Sequence, residues 1–99
     1  TYPSTLPDVS VRESDMDERL LGFTDGRTIW RKRGLSTTVC EFVLFHEEEH
    51  VKDMAASERE VDERVVDRLL RAGKLSDERK RTEIAALLKK RWGDETLFS

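Results

Sequence analysis

The sequence predicts a small α+β domain in which helices dominate. Two observations carry this prediction. Short β-type runs flank an Asp-Gly dipeptide early in the chain, and three later segments repeat apolar residues with the 3.6-residue period of a helix. Because the chain has only 99 residues, it is expected to form a single domain with a small core. Any chemistry must then sit in a surface cleft.

Composition and charge limit the classes of partner. Charged residues make up 39% of the chain and the net charge is -3, which gives no electrostatic case for a nucleic-acid or anionic-membrane partner. No stretch approaches the roughly 20 apolar residues of a membrane span. Cys40 is the single cysteine, so no internal disulfide can form, and a soluble, cytoplasmic protein is expected.

The domain is expected to consist of an N-terminal arm at 1–18, a core at 19–93 and a C-terminal tail at 94–99. The arm is polar and is interpreted as loosely attached or as a short helix. The core begins with the runs 20–24 and 27–31 on either side of Asp25-Gly26, a dipeptide that favours a type I′ turn. This pattern predicts a β-hairpin.

The rest of the core is predicted to be helical. A first helix, capped by Ser36, runs to about Asp53. Neither glycine nor proline occurs between residues 35 and 72, so one unbroken helix is an open alternative. The run Ser57-Glu58-Arg59-Glu60 fits a capping box and favours a break, with a second helix ending at Gly73. A third helix is predicted from a Ser76 cap to Gly93.

The first of these helices carries an HExxH motif, His46-Glu47-Glu48-Glu49-His50, which contains the only two histidines of the chain. Residues four apart lie on one face of a helix, so both imidazoles can bind one zinc ion. Glu47 then lies beside the open coordination position, where it can take a proton from water and pass it to a leaving amine. The motif predicts a zinc metallopeptidase, and Glu48 and Glu49 are interpreted as exposed charge.

A catalytic zinc needs a third protein ligand. Cys40 is interpreted as a small buried residue, so a carboxylate after the first helix is required. Glu58 is the first choice, with Asp62 on the same helix face as hydrogen-bond partner of a histidine, and Glu60 is the alternative. On one unbroken helix Glu58 would lie about 12 Å along the axis from His50. This ligand set therefore requires the break.

The motifs resemble those of the ImmA/IrrE-type metallopeptidases, in particular the compact forms of actinobacteria and their phages and the very small stand-alone gluzincins. The likeness covers residues 20 to about 70. It implies a minimal zincin-like fold and one zinc ion held by His46, His50 and Glu58, with Glu47 as catalytic base. The linker before Glu58 is shorter than is usual in the family, and the C-terminal helix matches only vaguely.

The resemblance also implies how a substrate is held. Zincins lay an extended peptide along an edge strand, and the second hairpin strand, with Arg27, Ile29 and Arg31, is expected to take this role. The substrate in this group is often a helix-turn-helix repressor, so a protein or peptide partner of that kind is expected here by analogy.

Two other function classes stay open at this point. The first is a nucleic-acid patch with stacking tryptophans. The second is a non-catalytic helical regulatory or interaction module that docks through the last helix and through Leu97 and Phe98. The candidate nucleic-acid patch comprises Arg27, Arg31, Lys32, Arg33, Lys89, Lys90 and Arg91, with Trp30 and Trp92.

Within the peptidase interpretation, Asp94 and Glu95 in the tail suggest a latent form in which the tail covers the cleft.

Overall fold

In the part of the chain that the structure describes, three strands precede three helices. The structure, a computed structural model, describes residue 6, residues 9–16 and residues 20–92. This order confirms an α+β fold with dominant helices. None of the helices in the described ranges is long and apolar enough to cross a membrane. The elements are β1 (Ser10–Ser14), β2 (Gly22–Thr24), β3 (Thr28–Lys32), α1 (Thr37–Lys52), α2 (Glu58–Arg71) and α3 (Glu78–Trp92).

The strands form one sheet in the order β1-β3-β2. β2 and β3 are antiparallel, which confirms the predicted hairpin. β1 runs parallel to β3, with Val11 opposite Ile29, and both side chains are buried. Residues 10–14 are therefore a strand, not the loose arm or short helix that was predicted. Val11 is the only apolar residue of β1, so no local alternation announces this strand, and its pairing is a tertiary effect.

The hairpin turn is shifted by one residue from the prediction. The N–H of Asp25 donates to the carbonyl of Thr28, so Gly26 and Arg27 are the two central residues. Gly26 has a φ of 96°, a conformation that glycine adopts without strain. The Asp25 carboxylate accepts from the backbone N–H groups of Arg27 and Thr28 at 2.9 and 2.8 Å. Asp25 therefore supports the turn with its side chain.

The break between the first two helices is present. Asp53 ends α1, and its carboxylate accepts from the N–H of Ala55 at 3.2 Å, which fixes the turn at residues 54–56. Ser57 then caps α2, because its hydroxyl accepts from the N–H of Glu60 at 3.2 Å. The alternative of one unbroken helix is excluded.

Of the two other N-terminal caps that the sequence predicts, the cap of α1 is confirmed and the cap of α3 is shifted by one residue. Ser36 caps α1 as predicted. The N-terminus of α3 is capped one residue later than predicted, by Asp77 instead of Ser76, because the Asp77 carboxylate accepts from the N–H of Arg79 at 2.8 Å. The predicted end of α3 at Gly93 lies outside the described residues.

α1 occupies the centre of the fold, with contacts to β2, β3, α2 and α3. Residues 45–49 are consecutive and all buried, which is the signature of a helix covered on every side. The main apolar cluster lies between the three helices and includes Phe42, Phe45, Val61, Val65, Val66, Leu69, Leu75, Ile84 and Leu88.

The central position of α1 makes the prediction of exposed charge at Glu48 and Glu49 wrong. Glu48 is fully buried and Glu49 is 8% exposed. Both carboxylates bind the guanidinium of Arg68 on α2, at 3.0 and 2.9 Å. The same guanidinium lies over the Phe45 ring at 4.0 Å. Arg68 thus binds both of the carboxylates that the surrounding elements remove from water, and Lys52 pairs with Glu49 as well, at 3.2 Å.

We expect Arg68→Ala to lower the free energy of unfolding by about 3 kcal/mol, because it removes the guanidinium that binds the buried carboxylates of Glu48 and Glu49. Arg71→Ala is the matched control on the same helix, since Arg71 pairs with Asp67 in solvent and its loss should cost less than about 1 kcal/mol. Urea unfolding followed by circular dichroism measures both values. Equal losses of unfolding free energy in the two variants would contradict the role of Arg68 as counter-charge to the buried carboxylates.

Candidate metal centre

Two histidines and a glutamate converge where α1 turns back into α2. His46 and His50 lie one helical turn apart on α1, and Glu58 is the first residue of α2. Each offers one ligand atom, and these atoms all lie within 4.8 Å of one another. The convergence follows from the short turn after Asp53, which places the start of α2 beside the last two turns of α1.

Glu58 lies between the two imidazoles. Its Oε2 is 2.9 Å from Nε2 of His46, and its Oε1 is 2.9 Å from Nε2 of His50. The Glu58 side chain is 55% exposed, whereas the His46 side chain is 8% exposed. The group therefore opens to solvent on the glutamate side, so an ion or a substrate can reach it.

Asp62 fixes the orientation of His46 from behind. Its Oδ1 lies 2.7 Å from Nδ1 of His46, and the carboxylate is fully buried. Arg91 and Trp92, at the end of α3, donate to the same carboxylate from Nε and Nε1. Asp62 thus lies where the sequence analysis expected a hydrogen-bond partner for a histidine, and it keeps Nε2 of His46 directed at Glu58.

The surroundings of His46 shift its pKa. Burial by itself lowers the pKa, but the hydrogen bond and negative charge of Asp62, with further contributions from Glu47 and Glu58, outweigh it, so the pKa of His46 is raised. The pKa of Asp62 is lowered although burial acts to raise it, because His46, Trp92 and Arg91 all stabilise the carboxylate. Without a metal, the two groups therefore favour an imidazolium–carboxylate pair.

Glu47 lies beside the two histidines and points into the same cleft. Its Oε1 is 4.0 Å from Nε2 of His46. Burial raises the pKa of Glu47 to about 7, with His46 and Arg91 lowering it and Glu58 raising it further. A carboxylate with a pKa near neutrality can both accept and return a proton at physiological pH.

The donor set fits a zinc ion. Two imidazole nitrogens and one carboxylate oxygen are a ligand combination that catalytic zinc sites use, and the fourth position stays open in such sites. Asp62 also supplies the hydrogen bond to the remaining ring nitrogen that metal-bound histidines commonly make. Glu60 is not part of the group: its side chain is exposed and lies 3.9 Å from Arg64.

A cleft of about 660 Å³ contains this group. β2 forms one of its walls. A Cβ at Gly22 would lie 2.6 Å from Cγ1 of Val43 and 2.9 Å from the carbonyl oxygen of Trp30. Only glycine therefore lets β2 lie this close to α1, and Gly22 brings the strand next to Glu47, whose Cγ is 3.7 Å from the same position.

The expectation that β3 binds substrate is wrong. β3 is the central strand of the sheet, because β1 occupies its second edge. Ile29 is fully buried, and Arg31 is 7% exposed and pairs with Glu13 of β1. Arg27 lies in the exposed turn. Among the described strands, the one with an open edge at the cleft is β2.

Several residues proposed for other roles are engaged elsewhere. Trp30 stacks on Phe23 with ring centroids 4.7 Å apart. Arg91 and Trp92 turn inward to Asp62, as described above, so these residues do not form an exposed basic patch with stacking rings. Cys40 is half-buried, and its Sγ donates to the carbonyl of Leu35 at 3.5 Å, outside the metal group. The tail residues 94–99 lie outside the described residues.

The sequence predicted Arg91 and Trp92 as members of that nucleic-acid patch, and no local pattern connects them with Asp62. They lie 29 and 30 positions from it, at the far end of the third predicted helix. The sequence signal that could have indicated this contact is the Arg-Trp pair at the end of an amphipathic helix. Both side chains donate hydrogen bonds and can therefore satisfy a buried carboxylate.

No family model, curated protein or solved structure matches this chain. The motifs in residues 20 to about 70 and the geometry of the cleft are therefore what supports a function.

We expect Asp62→Asn to lower the pKa of His46 in metal-free protein, because the replacement removes the carboxylate that raises the pKa while burial remains. Proton NMR titration after chelator treatment measures this, and the two histidines give two resolvable signals. The pKa of His46 in the folded protein is raised above its ordinary value. Protonated His46 therefore stabilises the metal-free fold at pH values below the ordinary histidine pKa. This contribution to stability is lost as the pH rises through the folded-state pKa. Asp67→Asn, exposed on α2, should leave the titration unchanged. An unchanged titration in Asp62→Asn would refute the role of Asp62.

Proposed function

We propose that the chain is a zinc-dependent endopeptidase of the gluzincin type with a minimal zincin-like fold. The observation that carries the proposal is the convergence of His46, His50 and Glu58 around one position, with the buried Glu47 beside it. The zincin-like fold rests on the same convergence and on the sheet beside α1.

The proposed zinc ligands are His46, His50 and Glu58. A zinc ion held there would supply Lewis acidity, which lowers the pKa of water and polarises the carbonyl of a peptide bond. Asp62 orients His46 so that Nε2 is available as a ligand. Arg91 bonds Asp62 and reaches Glu58 at 3.5 Å, so it links the supporting carboxylate to the third proposed ligand.

Glu47 is the proposed catalytic base. Its carboxylate takes a proton from the attacking water and delivers it to the amine that leaves when the peptide bond breaks. Burial raises the pKa of Glu47 to about 7 in the metal-free protein, and the charge of a bound zinc ion would lower this pKa, so that the carboxylate would be ionised and able to accept the proton. Burial on α1 keeps the carboxylate in one place relative to the two histidines.

The open edge of β2 is the proposed binding site for the substrate backbone. Leu21 accepts from the N–H of Lys32 at 2.9 Å, and Asp25 donates to Thr28. Because hydrogen-bonding positions alternate along an antiparallel pair, the backbone groups of Gly22 and Thr24 point away from β3. An extended peptide can pair with them and pass over Glu47.

The alternative of a non-catalytic helical module has no support in α3, because Ile84 and Leu88 of that helix are fully buried in the chain's own core. A helix whose apolar face is already packed offers no docking surface there. The other residues proposed for docking, Leu97 and Phe98, lie outside the described ranges.

We expect protein purified without added metal to contain one zinc ion per chain, and His46→Ala to contain none, as measured by inductively coupled plasma mass spectrometry. Glu58→Gln should weaken zinc binding by at least about tenfold, because it removes a charged ligand. Glu60→Gln, two residues along the same helix and exposed, is the matched control and should bind zinc normally. Absence of zinc from the unmodified protein, even after incubation with the metal, would refute the proposal.

We expect Glu47→Gln to reduce peptide hydrolysis by at least about a hundredfold while zinc content stays unchanged, because the amide cannot accept the proton. Casein and unstructured fluorogenic peptides are suitable substrates, with zinc measured in the same samples. Glu63→Gln, an exposed carboxylate on α2, should retain activity. Full activity in Glu47→Gln would exclude this residue as the base.

A further inference from the structure

The apolar exposure of this small protein is concentrated at the metal centre. Among the described residues, four large apolar side chains are exposed: Leu20 (44%), Phe23 (43%), Met54 (64%) and Leu70 (50%). The first three line the cleft. Grouped apolar exposure beside a cleft marks a binding surface, whereas a single exposed leucine such as Leu70 has no such meaning.

The charges in the cleft point to the same type of ligand. Its charged lining residues are Glu47, Glu58 and Arg91, and each either belongs to the metal centre or contacts it. Arg91 is already engaged with Asp62 and Glu58. Around this polar centre, the lining residues that the structure describes are apolar apart from Thr24, so they offer contacts to apolar side chains and no charged partner for an acidic or basic one.

The two apolar walls differ in rigidity. Phe23 is held by its stacking on Trp30, and it belongs to the same strand as the outward-facing backbone groups of Gly22. Met54 lies in the turn between α1 and α2, and its unbranched side chain adapts to ligands of different shape. One wall therefore fixes the path of a bound strand, while the other accommodates its side chains.

We propose that this cleft selects extended peptide segments that carry large apolar side chains next to the bond to be cleaved. The proposal deepens the peptidase function and rests on it. Extended apolar segments are mostly buried in folded proteins, so the substrates are unfolded chains or locally unfolded segments. A folded helical repressor would be cleaved only after such a segment is released.

The test uses the zinc-loaded full chain and two fluorogenic octapeptides that differ only around the central bond, with Leu and Phe in one and Glu and Lys in the other. We expect kcat/KM to be at least about tenfold higher for the apolar peptide. Met54→Ser and Leu20→Ser should reduce this preference severalfold. Leu70→Ser is the matched control outside the cleft and should leave the preference unchanged.

A second measurement separates the two proposals. Fluorescence polarisation with Glu47→Gln reports peptide binding without turnover. If the charged peptide is cleaved or bound as well as the apolar one, the apolar selectivity is wrong and the peptidase function stands on its cleavage result. If the apolar peptide binds preferentially and no peptide is cleaved by the unmodified protein, the apolar cleft stands and the peptidase function is refuted.

Discussion

The candidate site depends on the reversal of the chain between Asp53 and Ser57. A continuing helix would carry Glu58 about 12 Å beyond His50 along the axis, and no ion could contact both. The reversal is specified locally, because the Asp53 carboxylate fixes the turn and the Ser57 hydroxyl starts α2. The Ser57 bond also satisfies one of the N–H groups that the start of α2 leaves without a helical partner. Two short polar side chains thus decide whether the histidines have a third partner.

The central position of α1 sets the electrostatics of the fold. A helix covered on all sides buries its acidic residues along with its apolar ones, and burial of a carboxylate is unfavourable unless it is paired. Arg68 pairs with Glu48 and Glu49, and Arg91 pairs with Asp62. Glu47 has no such close cationic partner among the described residues other than His46, and its pKa is correspondingly raised. The same burial that demands ion pairs elsewhere keeps this carboxylate suited to proton transfer.

Local signals predicted the helices, the hairpin and the convergence of His46, His50 and Glu58 well, because caps, turn residues and helical spacing all act within a few positions. The failures have non-local causes. β1 is held by pairing with β3, which no pattern in residues 10–14 indicates, and this pairing makes β3 a central strand. The buried state of Glu48 depends on Arg68, 20 positions away. The donors to Asp62 come from the far end of α3. The sequence therefore predicted the proposed ligands together with Glu47 and Asp62, and it did not predict the β2 wall of the cleft or the α3 donors to Asp62.

The short path of the chain through the site has a consequence for its evolution. All the proposed ligands, the proposed base and Asp62 lie within residues 46–62, so one helical hairpin carries them. The entropy of closing so short a loop is small, and none of these residues belongs to the sheet. The proposed peptide selectivity, by contrast, would depend mainly on Leu20 and on Phe23 of β2, with Met54 as the contribution of the helical hairpin. Under the proposed function, substitutions at Leu20 and Phe23 would change the preferred peptide while the residues proposed to hold the metal stay unchanged.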